Sequence, residues 1–354
     1  GTNFSPIPKN NKIQIGGIQA EVVSASINKL EVVVPLQDKG IYPDRNVNIS
    51  VEVIGESDTY NETLLINDKW FRLADFPGSK TYGAKCFVAD NDAFVGLNNT
   101  DELWRFNPVT QDWMRMNDFP GSARYDGAGF FMNGNIYFGT GYLNGENFND
   151  FWQYNIASDS WIQKNNFAGS KRTGATGFSI NDKGYVTSGH YDQLAIYNHP
   201  FGDCWEYSPE SDSWSEIESY DDLEWGDIDG LANGSAVVIN GLAYYGIGWN
   251  YIQGDYDKRV YKFDPGAEIK WQRIANFPNN RNYSNAIAFV LNEAPYFKTV
   301  DSDFYQYIAT TDTWTSLETK VLSDIAGGIG FSFSGKAYVG LGMSNAFWEY
   351  DPAR

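Results

Sequence analysis

Tryptophan recurs along this chain at positions 70, 113, 161, 214, 271 and 314, at intervals of 43, 48, 53, 57 and 43 residues. Ahead of each of the last five stands an aromatic pair. The pairs lie in Leu103-Trp104-Arg105-Phe106, Phe151-Trp152-Gln153-Tyr154, Cys204-Trp205-Glu206-Tyr207, Val260-Tyr261-Lys262-Phe263 and Phe304-Tyr305-Gln306-Tyr307. From the first ring of the pair to the next Trp the distance is nine residues four times and ten once. A further copy, Phe347-Trp348-Glu349-Tyr350, has no Trp after it. A fixed spacing at this period marks a stack of repeated supersecondary units, each too small to bury its own core.

Each unit follows one order. A strand of small residues opens it, as in Gly127-Ala128-Gly129-Phe130-Phe131. A turn such as Asn133-Gly134 or Asn240-Gly241 follows, a strong hairpin signal because both residues tolerate positive φ. A second strand, Ile136–Gly141 or Ala243–Gly248, comes next. The aromatic pair makes the third strand and the Trp begins the fourth. Four antiparallel strands per unit is the plan of a propeller blade. Aromatics at 16% and 35 glycines suit many short strands with tight turns, and no segment shows capped helical periodicity. Units open near Tyr82, Asp126, Thr173, Asp229, Asn282 and Gly327, and the sixth lacks a fourth strand. The unclaimed strand at Lys69–Ala74, containing Trp70, is expected to supply it and close a six-bladed ring.

At these residues the chain resembles the Kelch family over positions 67–354. The double glycine with which that family ends its second strand corresponds here to Gly139-Thr140-Gly141, Ser188-Gly189, Gly246-Ile247-Gly248 and Gly340-Leu341-Gly342; unit five, with Tyr296-Phe297-Lys298-Thr299, lacks it. Residues 1–66 read differently. Lys12–Gly17, Ala20–Val23, Lys29–Pro35 and Val47–Ile54 alternate apolar and polar residues, the pattern of half-buried strands. The order of Gly-Thr-Asn-Phe-Ser, Gly-Gly-Ile and Val-Val-Val-Pro is similar to IPT/TIG immunoglobulin-like domains, with the family's first strand expected before Gly1. The expected fold is therefore all-β: a six-bladed Kelch-type β-propeller behind a small N-terminal immunoglobulin-like β-sandwich.

The formal net charge is -19, which disfavours nucleic acid and anionic membrane surfaces, since both need clustered Lys and Arg. No run of 18 apolar residues spans a membrane. Cys86 and Cys204 are too few for a secreted disulfide scaffold, and their places on strands suggest buried thiols. The two histidines, His190 and His199, cannot furnish a copper oxidase site, and no phosphate loop, zinc spacing or nucleophile elbow appears. No catalytic residue, metal or cofactor is assigned. The resemblance to IPT/TIG spacers implies an extracytoplasmic place, periplasm or bacterial cell surface, although no signal or anchor is visible in the chain. A monomer is the expected state.

Strand parity puts the blade-to-blade and second-to-third connections on one face. A basic residue recurs there just before each innermost strand. The Kelch resemblance implies that Arg124, Arg172 and Arg281, with Lys80 as a looser match, ring the channel mouth and bind acidic or hydroxyl-rich ligands. The alternative is that each arginine hydrogen-bonds carbonyls of neighbouring blades. Unit four offers Asp221, Asp222, Glu224, Trp225 and Asp227 instead. The second-to-third loops are long in units two to four and carry Tyr142, His190, Tyr191, Trp249 and Tyr251, to which Tyr125 and Trp225 add further rings. Aromatics beside Asn and Asp suit a sugar, whose C–H face stacks on rings while its hydroxyls take polar contacts; the same rings would also pack the loops onto the rim. Three functions follow from these residues. The first is a non-enzymatic carbohydrate-binding protein. The second is a sugar isomerase resembling Kelch-type sialic-acid mutarotases, with an arginine on the carboxylate and His190 or Glu224 moving a proton. The third is a protein-interaction scaffold.

Overall fold

The computed structural model describes residues 3–15, 17–33, 46–53, 56–65, 69–89, 91–191, 199–220, 230–251, 253–278, 285–300, 303–317 and 325–353. Its residues fall into two compact units, 1–73 with 348–354, and 74–347.

In the first unit, β1 (Asn11–Ile15), β2 (Ile18–Ser26), β3 (Lys29–Val33), β4 (Asn46–Val53) and β5 (Glu56–Leu65) form one antiparallel sheet in the order β3-β2-β1-β4-β5. The central strand alternates as its sequence requires, with Ile13 and Ile15 buried and Lys12 and Gln14 exposed. Ile18–Ala20 of β2 pair with β1 and Glu21–Ser26 with β3, the second pairing carrying a register shift between Val22 and Ser24. Asn11 anchors the incoming segment by accepting from the Ser5 N–H at 2.9 Å and donating to the Ser5 carbonyl at 2.8 Å.

The repeats form blades as their spacing predicts. Blade two has strands Ala128–Met132, Asn135–Gly139, Phe151–Asn155 and Ser160–Lys164, hydrogen-bonded in that order. Blades one, three and five follow the same plan, opening at Lys85, Thr176 and Ile287. Blade four opens at Ser235 and has a longer central hairpin, Leu242–Asn250 with Asp255–Phe263, to which Leu231–Ala232 also pairs. In the sixth repeat, Ile329–Phe333, Lys336–Gly340 and Phe347–Tyr350 are completed by Trp70–Arg72, with Trp348 opposite Arg72 and Tyr350 opposite Trp70. The first and last repeats meet: Phe106 packs on Phe331, Tyr338 and Phe347.

Aromatic contacts fill the gaps between blades. Phe119, beyond the outer strand of blade one, lies edge-on to Phe138, Trp152 and Trp161 of blade two, at centroid distances of 5.2, 5.7 and 5.2 Å. Each such pair contributes about 0.5–1.5 kcal/mol beyond its buried area. A polar staple recurs at the other end of the blades. Asp159, in the turn of blade two, accepts from the Tyr154 hydroxyl at 2.7 Å and from the backbone N–H of Asn117 at 2.9 Å. Asp212 and Asp312 hold Tyr207 and Tyr307 in the same way, at 2.7 and 2.8 Å. Burial first, then the carboxylates, raise all three phenols above their ordinary range, so they remain protonated donors.

The inner edge is built from small residues because the blades crowd there. A Cβ on Gly177 would lie 2.5 Å from the Gly129 carbonyl oxygen of blade two. One on Gly330 would meet Ile287 at 2.6 Å. Hydroxyls stitch neighbouring inner strands: Thr176 donates to the Gly234 carbonyl at 2.8 Å, Ser235 to Ala286 at 2.6 Å and Ser179 to Phe131 at 2.6 Å.

Candidate functional site

The residue two places before each innermost strand has a left-handed backbone: Gly83, Asp126, Gly174, Asn233, Asn285 and Gly327, with φ between 51° and 74°. Only Gly, Asn and Asp enter this region readily, so the backbone dictates the residue type. Backbone N–H groups join these positions from blade to blade. Gly83 donates to Gly327 at 2.7 Å, Gly174 to Asp126 at 2.9 Å, Asn233 to Gly174 at 2.8 Å and Asn285 to Asn233 at 2.9 Å. The belt surrounds one end of the central channel, and its Asp126, Asn233 and Asn285 side chains make that mouth polar.

Asn98 adds a fourth group. Its Oδ1 accepts from the Asp126 N–H at 2.6 Å and its Nδ2 donates to the Tyr82 carbonyl at 2.6 Å, which fixes the orientation of the amide. Beside it Gly83 leaves a gap: a Cβ there would be 3.1 Å from Asn98 Nδ2 and 3.5 Å from both Asp126 Oδ1 and Asn285 Oδ1. Asn233 donates to Asp126 Oδ2 at 3.4 Å, while its own buried Oδ1 has no hydrogen-bond partner. Below the belt lies a cavity of about 160 Å³ walled by Ala84, Gly127, Ala175, Gly234, Ala286 and Gly328, and deeper another of about 380 Å³ lined by larger side chains such as Val88 and Phe131. Lys85 lines the upper cavity; enclosure by protein lowers its pKa, and the Asp126 charge acts against that shift. Cys86, on the same wall, has its thiol pushed up to about 12 by burial and is unreactive near neutrality. Both cysteines are free thiols: Cys204 is buried, whereas Cys86 is half-buried.

Arg124 and Arg172 sit within this face but do not present their guanidinium groups to it. Both are buried. Arg172 donates from Nε to the Ser170 carbonyl at 3.0 Å, from Nη1 to the Ser188 carbonyl at 3.0 Å, and through both Nη atoms to Asp203, at 2.5 and 2.7 Å. Its plane lies between Phe167 and Phe201, 4.9 and 4.2 Å from the ring centroids. Arg124 repeats every contact with Ser122, Thr140 and Asp150, between Phe119 and Phe148. Such forked pairs satisfy a carboxylate and a guanidinium together. The same carboxylates also accept from Trp152 and Trp205 at 2.8 and 2.7 Å. The arginines are thus clamps within their own blades: they bond carbonyls, as the alternative to ligand binding expected, but those of the same blade and not of its neighbours. Arg124 and Arg172 each stand five residues after a buried Phe, at 119 and 167; five after Phe76 comes Thr81, so the exposed Lys80 is one residue out of register.

The loop aromatics come together in part. His190 is buried; its Nε2 is 3.0 Å from the Tyr251 hydroxyl, the ring centroids are 4.2 Å apart, and its Nδ1 has no partner. Burial lowers its pKa to about 4, so it is neutral at pH 7 and a weak base. Trp249 packs on Tyr251 and Tyr256 at 6.2 and 4.7 Å. Tyr191 is half-buried beside His190, in the short pairing of His190–Tyr191 with His199–Pro200. Tyr142 pairs its backbone with Tyr125, whose ring is exposed. Arg281 and Trp225 lie outside the described residues, as do Asp221, Asp222, Glu224 and Asp227. Tyr82, Asn98, Asp126, Asn233 and Asn285, none of them singled out as site residues by the sequence motifs, also stand at this mouth. Tyr82 and Tyr125 hold the same place in blades one and two, directly before Gly83 and Asp126, and are 43% and 42% exposed. The available signal was the recurring Gly, Asn or Asp two residues before each innermost strand.

No family model matches the chain, and no curated protein matches it. Among solved structures it is similar to one titled "Structure of YjhT", with a TM-score of 0.64 and 17% identity over 78% of this chain and 95% of that one. A likeness at this identity speaks to fold alone, and with the antiparallel four-stranded sheets it identifies the architecture as a β-propeller.

Proposed function

We propose that the propeller is a non-enzymatic binding protein whose ligand is a neutral carbohydrate, held at the channel mouth on the face of the blade-to-blade and second-to-third connections. One observation carries this reading: two exposed rings, Tyr82 and Tyr125, directly precede Gly83 and Asp126 in a mouth lined with carboxylate and carboxamide groups. Rings receive the C–H face of a sugar, and planar polar groups take its hydroxyls. Neutral sugars are favoured over acidic ones because Arg124 and Arg172 are each committed to an aspartate and two carbonyls. Among the described residues, the same commitment takes Arg124 and Arg172 out of the carboxylate-anchoring role a sialic-acid mutarotase would need, and the low pKa of His190 makes it a poor proton shuttle. The N-terminal sheet fits the role of an IPT/TIG-like spacer on an extracytoplasmic bacterial protein. Protein ligands are the competing class.

A glycan array with neutral and acidic sugars tests the reading. Retention of neutral glycans, lost in the Tyr82→Ala Tyr125→Ala double variant, is the expected result. Absence of glycan binding at millimolar ligand overturns it.

A further inference from the structure

We infer that Asp126 is the specificity-determining residue of this mouth and that it reads two adjacent hydroxyls, a vicinal diol, on the bound sugar. The inference rests on the carbohydrate reading and goes beyond it by naming the group recognised.

The polar atoms of the mouth form two neighbouring sets with Asp126 between them. The first surrounds the gap at Gly83, where Asn98 Nδ2 stands 3.1 Å, and Asp126 Oδ1 and Asn285 Oδ1 each 3.5 Å, from the place a Cβ would take. The second lies at Gly174, where a Cβ would be 3.1 Å from Asn233 Oδ1 and 3.3 Å from the Asn233 backbone nitrogen. Asp126 turns Oδ1 to the first set, and its Oδ2 is 3.4 Å from Asn233 Nδ2 in the second. Three blades supply the first set, so its geometry depends on the closed ring rather than on one loop.

Charge narrows what can enter. The Asn98 amide cannot turn its oxygen to the gap, because both of its ends are held by backbone groups. A cation there would therefore face an N–H donor, with the Lys85 amine on the wall below. An anion would face the Asp126 carboxylate. A group that both donates and accepts meets neither obstacle, and a hydroxyl is the smallest such group on a sugar. One hydroxyl would accept from Asn98 Nδ2 and donate to Asp126 Oδ1 or Asn285 Oδ1. Its neighbour would donate to Asp126 Oδ2 or to Asn233 Oδ1, the buried acceptor without a partner. A carboxylate can receive two adjacent hydroxyls at once, one on each oxygen in its plane, which a single hydroxyl cannot match.

The test is calorimetry on the whole chain with methyl α-mannoside, methyl β-galactoside and methyl β-glucoside, followed by monodeoxy analogues of each glycoside that binds. Asp126→Asn keeps shape, and Asn also accepts a left-handed backbone, so the variant is expected to fold with an unchanged melting temperature. It should bind the parent glycoside at least about tenfold more weakly. The deoxy analogue lacking one hydroxyl of the diol should lose a similar factor on the wild type and little more on the variant. Asn233→Gly, which the left-handed backbone at this position accepts and which removes the side chain of the second set, should weaken the parent several-fold. A glycoside that binds Asp126→Asn and the wild type within about twofold overturns the inference while leaving carbohydrate binding intact. Failure of every parent glycoside to bind the wild type overturns the carbohydrate reading, and the inference with it.

Discussion

Blade three and blade one solve the same local problem with different chemistry. In blade three Asp203 precedes the aromatic pair, accepts from the Trp205 indole and is forked by the buried Arg172. In blade one the corresponding residue is Glu102, which accepts from the Trp104 indole at 2.9 Å. Thr81 stands where the arginine would be. The longer glutamate reaches directly to the Ser79 N–H and hydroxyl, at 3.0 and 2.9 Å. The shared element is therefore the carboxylate–indole pair that ties the connection to the third strand; the guanidinium fills the distance a shorter carboxylate leaves. A basic residue on a propeller face is thus not by itself a ligand contact.

The sharpest way to break this comparison is Asp203→Ala. It leaves the fully buried Arg172 without its counter-charge and should cost about 3–5 kcal/mol in chemical denaturation. A loss of ligand affinity at unchanged stability would instead return Arg172 to the binding site. A further difference between blades concerns position 190, where blade three has a buried His and blade two has Tyr142. With its pKa lowered from 6.5 to about 4, His190 stays neutral in the folded protein while the unfolded chain takes up a proton. Stability is full above pH 6.5, declines as pH falls toward 4, and is flat for this group below that. The integrated loss is about 3 kcal/mol. His190→Phe should flatten that part of a stability–pH curve; an unchanged slope would assign it to carboxylates.

Glu102→Ala should cost less than Asp203→Ala, about 1–2 kcal/mol, because the only charge it leaves is that of Arg115, which is exposed and keeps its pairing with Asp118. Equal losses would erase the distinction between the two blades. The smallest effect is expected for Tyr154→Phe, which removes one hydroxyl from Asp159 and should lower stability by about 1 kcal/mol while leaving glycan retention unchanged.

The propeller was legible because its signals are local and repeated. The aromatic register set the third and fourth strands, and turns such as Asn133-Gly134 do take positive φ at both residues. The lone Trp70 strand pairs where the missing fourth strand belongs. The site was less legible because its chemistry depends on contacts across tens of residues. Nothing near Arg172 in sequence shows that Asp203 will meet it, and the five-residue spacing from Phe that separates Arg172 from Lys80 acquires meaning only once the Phe is seen to be buried. Likewise Asn233 and Asn285 read as ordinary turn residues until the ring places them with Asp126 around one opening.

The glycines of the inner strands bear on a different property, how closely the blades can approach at the axis. Each blade must taper like a wedge, broad where Trp and Tyr pack and narrow where Gly177 meets the Gly129 carbonyl. A side chain at Gly177 would press on the Gly129 carbonyl of the neighbouring blade, so the channel glycines act as the spacers that let successive inner strands close up around the axis.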